Sequence, residues 1–112
     1  MKKFNLQTGK LGEEIAREFL EKKGYRIIEQ NYKTKYGEID LVTKKGNDLI
    51  AVEVRTKIGD LFGSPEDSLT KNKLRKVQLN ALARGAGRVD AICIVLNYNG
   101  GVERLEHYEN IT

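Results

Sequence analysis

The sequence predicts a single α/β domain over residues 1–112, with helices flanking a mixed central sheet in the order α-β-β-β-α-β-β. Three observations predict this class. Two stretches carry apolar residues at helical spacing, a glycine turn joins two strand-like stretches, and a nearly continuous apolar run follows the second helical stretch. A chain of 112 residues is long enough for one domain with its own core.

The first helix is predicted over residues 11–23, because apolar residues recur there with helical period and Gly24 follows two lysines as a stop signal. Residues 25–31 are then predicted to form a strand. The alternation places Tyr25 and Ile27 on one side of that strand.

Residues 37–42 and 49–55 are predicted to form a hairpin around Gly46-Asn47, which suits a two-residue turn with glycine first. Folding the chain there fixes the register of the two strands. The register creates an apolar face and one acidic pair, through the facing residues Leu41 with Val52, Ile39 with Val54, and Asp40 with Glu53.

Residues 58–63 indicate a loop. Ser64 is followed by a proline and two acids, a pattern that is typical of a helix start. The second helical face continues to Gly85, and Thr70 is a separate candidate cap for its longer part.

The nearly continuous apolar run at residues 88–96 predicts a central strand covered on both faces, with Cys93 in the core. A turn at residues 97–101 and a last strand at residues 102–108, at the sheet edge, complete the domain. His107 on that edge strand is expected to have a surface or packing role.

Bulk properties narrow the class of protein. The net charge of +4 permits an anionic partner without requiring one. The first lysines precede no apolar stretch, and no apolar run is long enough to span a membrane, so no membrane association is expected. With one cysteine, the sequence is predicted to belong to the reducing cytoplasm.

The facing carboxylates Asp40 and Glu53 are the most informative feature. They repel each other, and a divalent metal bound by hard oxygens is the obvious cation to lie between them. Arg55 shares the face of Glu53, Lys57 continues it, and Glu38 lies across from Arg55. Because the same face is apolar nearer the turn, its charged end is expected to be less covered and to form a cleft. The alternative is a surface ion-pair network.

Asp40, a spacer and Glu53-Val54-Arg55 resemble the D…(D/E)-x-K signature of restriction-endonuclease-like nucleases. Nearly the whole chain resembles the YraN family, an endonuclease-like group similar to archaeal Holliday-junction resolvases. The resemblance therefore implies a restriction-endonuclease-like fold. Its matching segments are Gly9-Lys10-Leu11-Gly12-Glu13 with Ala16, Gly24-Tyr25, Asn31, Gly37-Glu38-Ile39-Asp40, Val52-Glu53-Val54-Arg55, Phe62-Gly63-Ser64-Pro65, Lys73, Arg88-Val89-Asp90, and His107 with Asn110.

The resemblance implies a Mg²⁺ or Mn²⁺ site. Asp40 and Glu53 would be ligands, the Val54 carbonyl a third oxygen, and Glu13 the extra acid brought from the first helix. From the residues alone, Glu13 is equally well explained as an acid favoured by the helix dipole.

Arg55 holds the position of the signature lysine, which is a departure from the family pattern. Arginine stays protonated, so it can clamp phosphate or orient a group but cannot accept a proton from water. Lys57, on the same side of the strand, is the alternative source of the ammonium group.

The second helix is basic, and it follows the loop after the Glu53 strand. This position favours phosphate contact, although a solvated face is the equal alternative. The residues predicted to bind nucleic acid are Lys71, Lys73, Arg75, Lys76 and Arg84.

These observations predict Mg²⁺-dependent hydrolysis of DNA phosphodiester bonds, on structured or branched DNA by analogy. One alternative is a nucleic-acid-binding module on the same fold, with a catalytic site that has decayed at Arg55. Another is an interaction protein whose charge cluster is structural. The resolvase resemblance and the edge strand also suggest a homodimer.

Overall fold

The computed structural model describes residues 2–59, 61 and 63–111, with backbone alone for residues 2–6. Phe62, one of the residues that carry the family resemblance, lies outside the described residues. The predicted order α-β-β-β-α-β-β is confirmed, and it is consistent with a restriction-endonuclease-like fold. The elements are α1 (Lys2–Lys22), β1 (Arg26–Thr34), β2 (Gly37–Lys45), β3 (Asp48–Ile58), a 3₁₀ helix (Pro65–Ser68), α2 (Lys71–Arg84), β4 (Arg88–Leu96) and β5 (Val102–Tyr108).

The described residues form one sheet of five strands in sequence order. Strands β3 and β4 run parallel, and the other neighbouring pairs are antiparallel. The predicted bounds of the last two strands are confirmed, as is the buried character of β4, in which every residue after Arg88 is buried. Its Cys93 lies in the core, and burial raises the pKa of that thiol to about 12.

Two apolar clusters cover the two faces of the sheet. Helix α1 packs Ala16 and Leu20 on one face, and helix α2 packs Val77 and Ala81 on the other. This division follows from strand alternation, because neighbouring residues of β2 and β3 point to opposite faces. The sheet residues of the first cluster include Leu41, Val52, Val54, Ile92 and Ile94, and those of the second include Val42, Ala51 and Val89.

The predicted hairpin register is confirmed from the Leu41–Val52 pair to the turn, where Gly46 has a φ of 60°. The predicted pairing of Ile39 with Val54 on one apolar face is wrong. Ile39 pairs with Tyr32 of β1 and packs under α2, whereas Val54 packs under α1. On the N-terminal side of Leu41, strand β2 no longer pairs with β3. Strand β3 continues to pair with β4 as far as Ile58.

Several predicted boundaries differ from the structure, among them the end of β2, which lies at Lys45 instead of residue 42. Helix α1 begins at Lys2 instead of residue 11. The prediction followed the apolar residues that pack on the sheet, and the first turns of the helix precede them. Strand β1 continues to Thr34 because it pairs with β2 as far as Gly37. Strand β3 continues to Ile58 because its parallel pairing with β4 continues to Leu96.

The predicted helix start at Ser64 leads only to the short 3₁₀ helix, where the Ser64 N–H donates to Asp67 Oδ2 at 3.0 Å. The alternative cap is the one used by α2. Thr70 Oγ1 accepts from the Lys73 N–H at 3.2 Å, and Gly85 ends the helix with a φ of 85°.

Among the helices of the described residues, none has both the length and the apolar character that crossing a membrane requires.

Candidate metal and nucleic-acid site

The acidic pair lies where β2 and β3 separate. Asp40 is half-buried, and its Oδ2 accepts the Val54 N–H at 2.8 Å, taking the place of a backbone partner on β2. Glu53 is buried, with 3% of its surface exposed. Its expected position at a less covered, open end of the face is therefore wrong, because Arg55 and Lys73 lie against it.

The two carboxyl groups act on each other. Burial, followed by the negative charge of Asp40, raises the pKa of Glu53 to about 7. Burial also raises the pKa of Asp40, although the Val54 N–H and Glu53 offset part of the rise. A neighbouring pair of buried acids that resist ionisation is what a bound cation stabilises.

Two cations already neutralise Glu53. Arg55 Nη1 lies 3.3 Å and Lys73 Nζ 3.4 Å from Glu53 Oε2. The sequence interpretation placed Lys73 only among the DNA contacts. The Thr70 cap was the signal that could have found this contact, because it places Lys73 in the first turn of α2, where that helix approaches the strand of Glu53.

The 3₁₀ helix holds the Arg55 guanidinium from the other side. Arg55 Nε donates to Ser68 Oγ at 2.7 Å, and Ser68 Oγ donates to the Pro65 carbonyl at 2.7 Å. Glu66 of the same helix binds Arg104 of β5 through two bonds of 2.6 and 2.8 Å. The Arg104 guanidinium lowers the pKa of Glu66 to about 2, and this pair fastens the 3₁₀ helix to the sheet.

Glu13 approaches the acidic pair but is linked to Asn31. The Asn31 amide donates to Glu13 Oε1 at 3.1 Å and to Glu38 Oε1 at 3.0 Å. Glu38 was expected across from Arg55, and the structure places its carboxylate at this amide instead. Burial raises the pKa of Glu13, with the charges of Asp40 and Glu38 adding to the rise. Asn31 itself, in left-handed backbone with a φ of 51°, had no predicted role.

The donor set fits Mg²⁺ in part. Among the described residues, no group of three histidines, cysteines or acids is arranged to hold a metal, so the full predicted ligand set is not assembled. Asp40 and Glu53 nonetheless supply hard oxygens. Mg²⁺ commonly binds through one or two carboxylates and keeps several waters, so a pair of carboxylates is compatible with such an ion.

A cleft of about 680 Å³ opens beside the pair, between α1, β3 and the 3₁₀ helix. Its walls include Glu13, Val54, Arg55 and Lys57. Of the charged residues that were predicted to form a cleft, Arg55 and Lys57 line this one, whereas Asp40 and Glu53 do not.

The basic residues of α2 divide into three groups. Lys73 is at Glu53, and Arg84 points away from the cleft, with its Nε 2.6 Å from Glu29 Oε1 and its guanidinium over the Tyr32 ring. The remaining members of the predicted set are exposed, namely Lys71, Arg75 and Lys76.

A second cluster was not predicted. Fully buried Asp90 accepts from Arg88 at 2.9 Å, Tyr25 at 3.0 Å, His107 at 2.9 Å and the Asn110 N–H at 2.9 Å. Burial alone would raise the pKa of Asp90, but these bonds together lower it. Of the residues that carry the family resemblance, Glu13 and Arg55 line the cleft, whereas Tyr25, Asp90 and Asn110 belong to this buried cluster.

Comparison with known proteins gives the family. Residues 12–94 match the group described as Uncharacterised protein family UPF0102. A UPF0102 protein of Pelotomaculum thermopropionicum is 39% identical over 110 residues, which cover 91% of this chain and 92% of that protein. A UPF0102 protein of Dictyoglomus turgidum is 37% identical over 114 residues, which cover 95% and 97% of the two chains. The chain belongs to UPF0102, the YraN family whose motifs its sequence carries.

Proposed function

We propose that the protein hydrolyses phosphodiester bonds of DNA with Mg²⁺ or Mn²⁺, at Asp40 and Glu53 beside the cleft. One observation carries the proposal. Two neighbouring carboxyl groups of raised pKa lie behind a cleft wall that presents Arg55, in a chain whose motif resembles a nuclease signature. Burial of two repelling acids is costly unless a cation offsets it.

The residues that would hold the ion are Asp40, Glu53 and the Val54 carbonyl, with Glu13 as the further acid. A bound Mg²⁺ supplies a Lewis acid that polarises the phosphate and lowers the pKa of water. Asp40 keeps one oxygen engaged with the Val54 N–H, which fixes the orientation of its carboxylate.

Arg55 and Lys73 would act on the substrate phosphate. Both now neutralise Glu53, so a divalent ion at that carboxylate would release their charge toward an incoming phosphate. Arg55 can donate two parallel bonds to a phosphate but cannot take a proton. Proton exchange would therefore fall to another polar group of the cleft wall, Glu13 or Lys57.

The substrate would lie along the basic side of α2. Lys71, Arg75 and Lys76 are exposed on this helix, which also presents Lys73 to the acids. The proposal also places the protein in the cytoplasm as a homodimer. The edge strand β5 is the candidate surface for the dimer contact.

A second candidate function is a nucleic-acid-binding module whose catalytic site has decayed. The charge balance at Glu53 favours it, because two side chains of the protein itself neutralise this one buried carboxylate. Arg55 is also held by Ser68, as a structural residue would be.

Cleavage assays separate these functions. Wild type, Arg55→Lys, Arg55→Ala and Lys57→Ala are incubated with branched and linear DNA, with Mg²⁺, Mn²⁺ or chelator. We expect Arg55→Lys to preserve or raise the rate, and Arg55→Ala to raise the barrier by about 2–4 kcal/mol, which is roughly 30- to 1000-fold in rate. Arg84→Ala is the matched control, because that guanidinium pairs with Glu29 outside the cleft.

Two outcomes contradict the proposal in different ways. DNA binding without cleavage by either wild type or Arg55→Lys supports the binding module. Cleavage that survives the double variant Arg55→Ala with Lys57→Ala would mean that another cation, and another site, is responsible.

A further inference from the structure

An exposed tyrosine stands at the far end of the cleft from the acids. Tyr98 lies on the turn between β4 and β5, lines the cleft with Arg55 and Lys57, and is 82% exposed. An aromatic ring this exposed contributes little to the core. Exposed apolar surface that borders a cleft marks a place where a ligand can bind.

The turn that carries Tyr98 is tightly held. Asn97 Oδ1 accepts from the Asn99 N–H at 3.2 Å and the Gly101 N–H at 2.8 Å, and the Asn97 N–H donates to the Gly101 carbonyl at 2.8 Å. Gly100 adopts a φ of 88° beside Leu11 of α1. The backbone that carries the ring is therefore held in place, which lowers the entropic cost of binding against it.

The distance from Tyr98 to the acids suits a nucleic-acid strand. The Tyr98 hydroxyl lies near Gly59, which directly follows β3, and Glu53 lies six residues before Gly59. At about 3.3 Å per strand residue, this separation is roughly 20 Å, the reach of a few nucleotides of an unstacked strand. Arg55 and Lys57 lie on the cleft wall between the two points and suit its phosphates.

We propose that Tyr98 is a stacking platform for an unpaired base, so that the substrate enters the cleft as a single-stranded segment next to the bond to be cut. In a duplex the faces of the bases are occupied by neighbouring bases, and only a splayed or unpaired base can stack on a side chain. The inference rests on the proposed function and specifies its substrate class as DNA with an unpaired region, such as a flap or an overhang.

The chain contains no tryptophan, so Tyr98→Trp gives a single fluorescent reporter at the site. Tyr36→Trp is the matched control, because Tyr36 is 43% exposed on the turn between β1 and β2 and does not line the cleft. Both variants are titrated with a single-stranded oligonucleotide and with a blunt duplex containing the same sequence. The titrations contain Ca²⁺ in place of Mg²⁺ to limit cutting.

We expect the single strand to quench the indole fluorescence of Tyr98→Trp strongly and the duplex to quench it weakly, while the fluorescence of Tyr36→Trp responds to neither. Tyr98→Ala should lower single-strand affinity about tenfold or more, with duplex affinity unchanged, whereas Tyr98→Phe should bind like wild type. Equal quenching in the two reporter variants overturns the proposal, as does unchanged single-strand affinity in Tyr98→Ala. A loss in Tyr98→Phe equal to that in Tyr98→Ala also overturns it, because the hydroxyl would then be contacting phosphate.

These readouts do not depend on cleavage. Single-strand binding through Tyr98 without any cleavage supports the stacking platform and contradicts the proposed nuclease activity. Cleavage that is equally fast on duplex and single strand, and unaffected by Tyr98→Ala, contradicts the stacking platform and supports the nuclease activity. A protein that binds no nucleic acid overturns both.

Discussion

Asp40→Asn tests whether the acidic pair is a metal site or a structural ion pair. The substitution removes one negative charge while keeping a side-chain oxygen that can accept the Val54 N–H. Without a metal, we expect the variant to be more stable than wild type at pH 8. The reason is that Asp40 is the second cause, after burial, of the raised pKa of Glu53.

The magnitude follows from that pKa. The pKa of Glu53 is raised from the ordinary value of 4.5 to about 7 in the folded protein, so ionising Glu53 in the fold costs roughly 3 kcal/mol. Because the folded state binds more protons than the unfolded state between these values, wild-type stability falls as the pH rises from 4.5 to 7. Asp40→Asn removes the part of this cost that the charge of Asp40 causes, so it should raise the free energy of unfolding by about 1 kcal/mol at pH 8. Below pH 4.5 this gain in stability should vanish, because Glu53 is protonated in both states.

Urea denaturation from about pH 4 to about pH 9, with and without Mg²⁺, measures these quantities. Mg²⁺ at about ten times its Kd should stabilise wild type by about 1.4 kcal/mol and Asp40→Asn far less. Glu14→Gln is the control, since it removes one exposed negative charge from α1. If wild type gains nothing from the ion, and Asp40→Asn is less stable in both conditions, the pair is structural and the metal site is refuted.

Further expectations concern packing, the buried cluster and α2. Thr56→Val should leave stability unchanged or raise it by up to about 1 kcal/mol, because the buried Thr56 hydroxyl has no hydrogen-bond partner among the described residues. Gly12→Ala should cost about 1–3 kcal/mol in the same urea assay, because a methyl group there overlaps Thr56. Asp90→Asn should lower the free energy of unfolding by about 3 kcal/mol in urea, and the wild-type carboxylate's contribution should disappear as the pH falls below 3.8. Charge reversal at Lys71, Arg75 or Lys76 should weaken DNA affinity and lower the salt slope by about one unit for each lost phosphate contact. Filter binding across salt concentrations measures both quantities, and charge reversal at Arg84 is the control that should leave them unchanged.

The parts of the fold that local sequence determines were predicted well. The hairpin register follows from Gly46-Asn47 and the alternation around it, and it is confirmed from Leu41–Val52 to the turn. The bounds of β4 follow from its apolar run, and the end of α2 follows from Gly85. Each of these signals acts through the backbone of a few neighbouring residues, and a sequence displays such signals directly.

Contacts between distant segments could not be predicted in the same way. The Lys73–Glu53 ion pair depends on how α2 is placed over β3, and the Asn31 amide reaches Glu13 and Glu38 only because β1 lies beside β2. Local patterns do not specify such placements. Extending the hairpin register from the turn predicted that Ile39 pairs with Val54, but the Val54 N–H donates to the Asp40 carboxylate instead of to a backbone partner.

The exchange of the signature lysine for Arg55 is linked to the wall of the cleft. Arg55 donates through Nε to Ser68 and through Nη1 to Glu53, so one planar group joins the 3₁₀ helix to the acid. A lysine ammonium is a compact point charge on a flexible stem, so Arg55→Lys keeps the positive charge for a substrate but not this fork to Ser68 and Glu53. The same helix is fastened to β5 through Glu66 and Arg104. Because the fold itself positions Arg55 in this way, its guanidinium is oriented in the absence of substrate, and this is the condition that the proposed phosphate clamp requires.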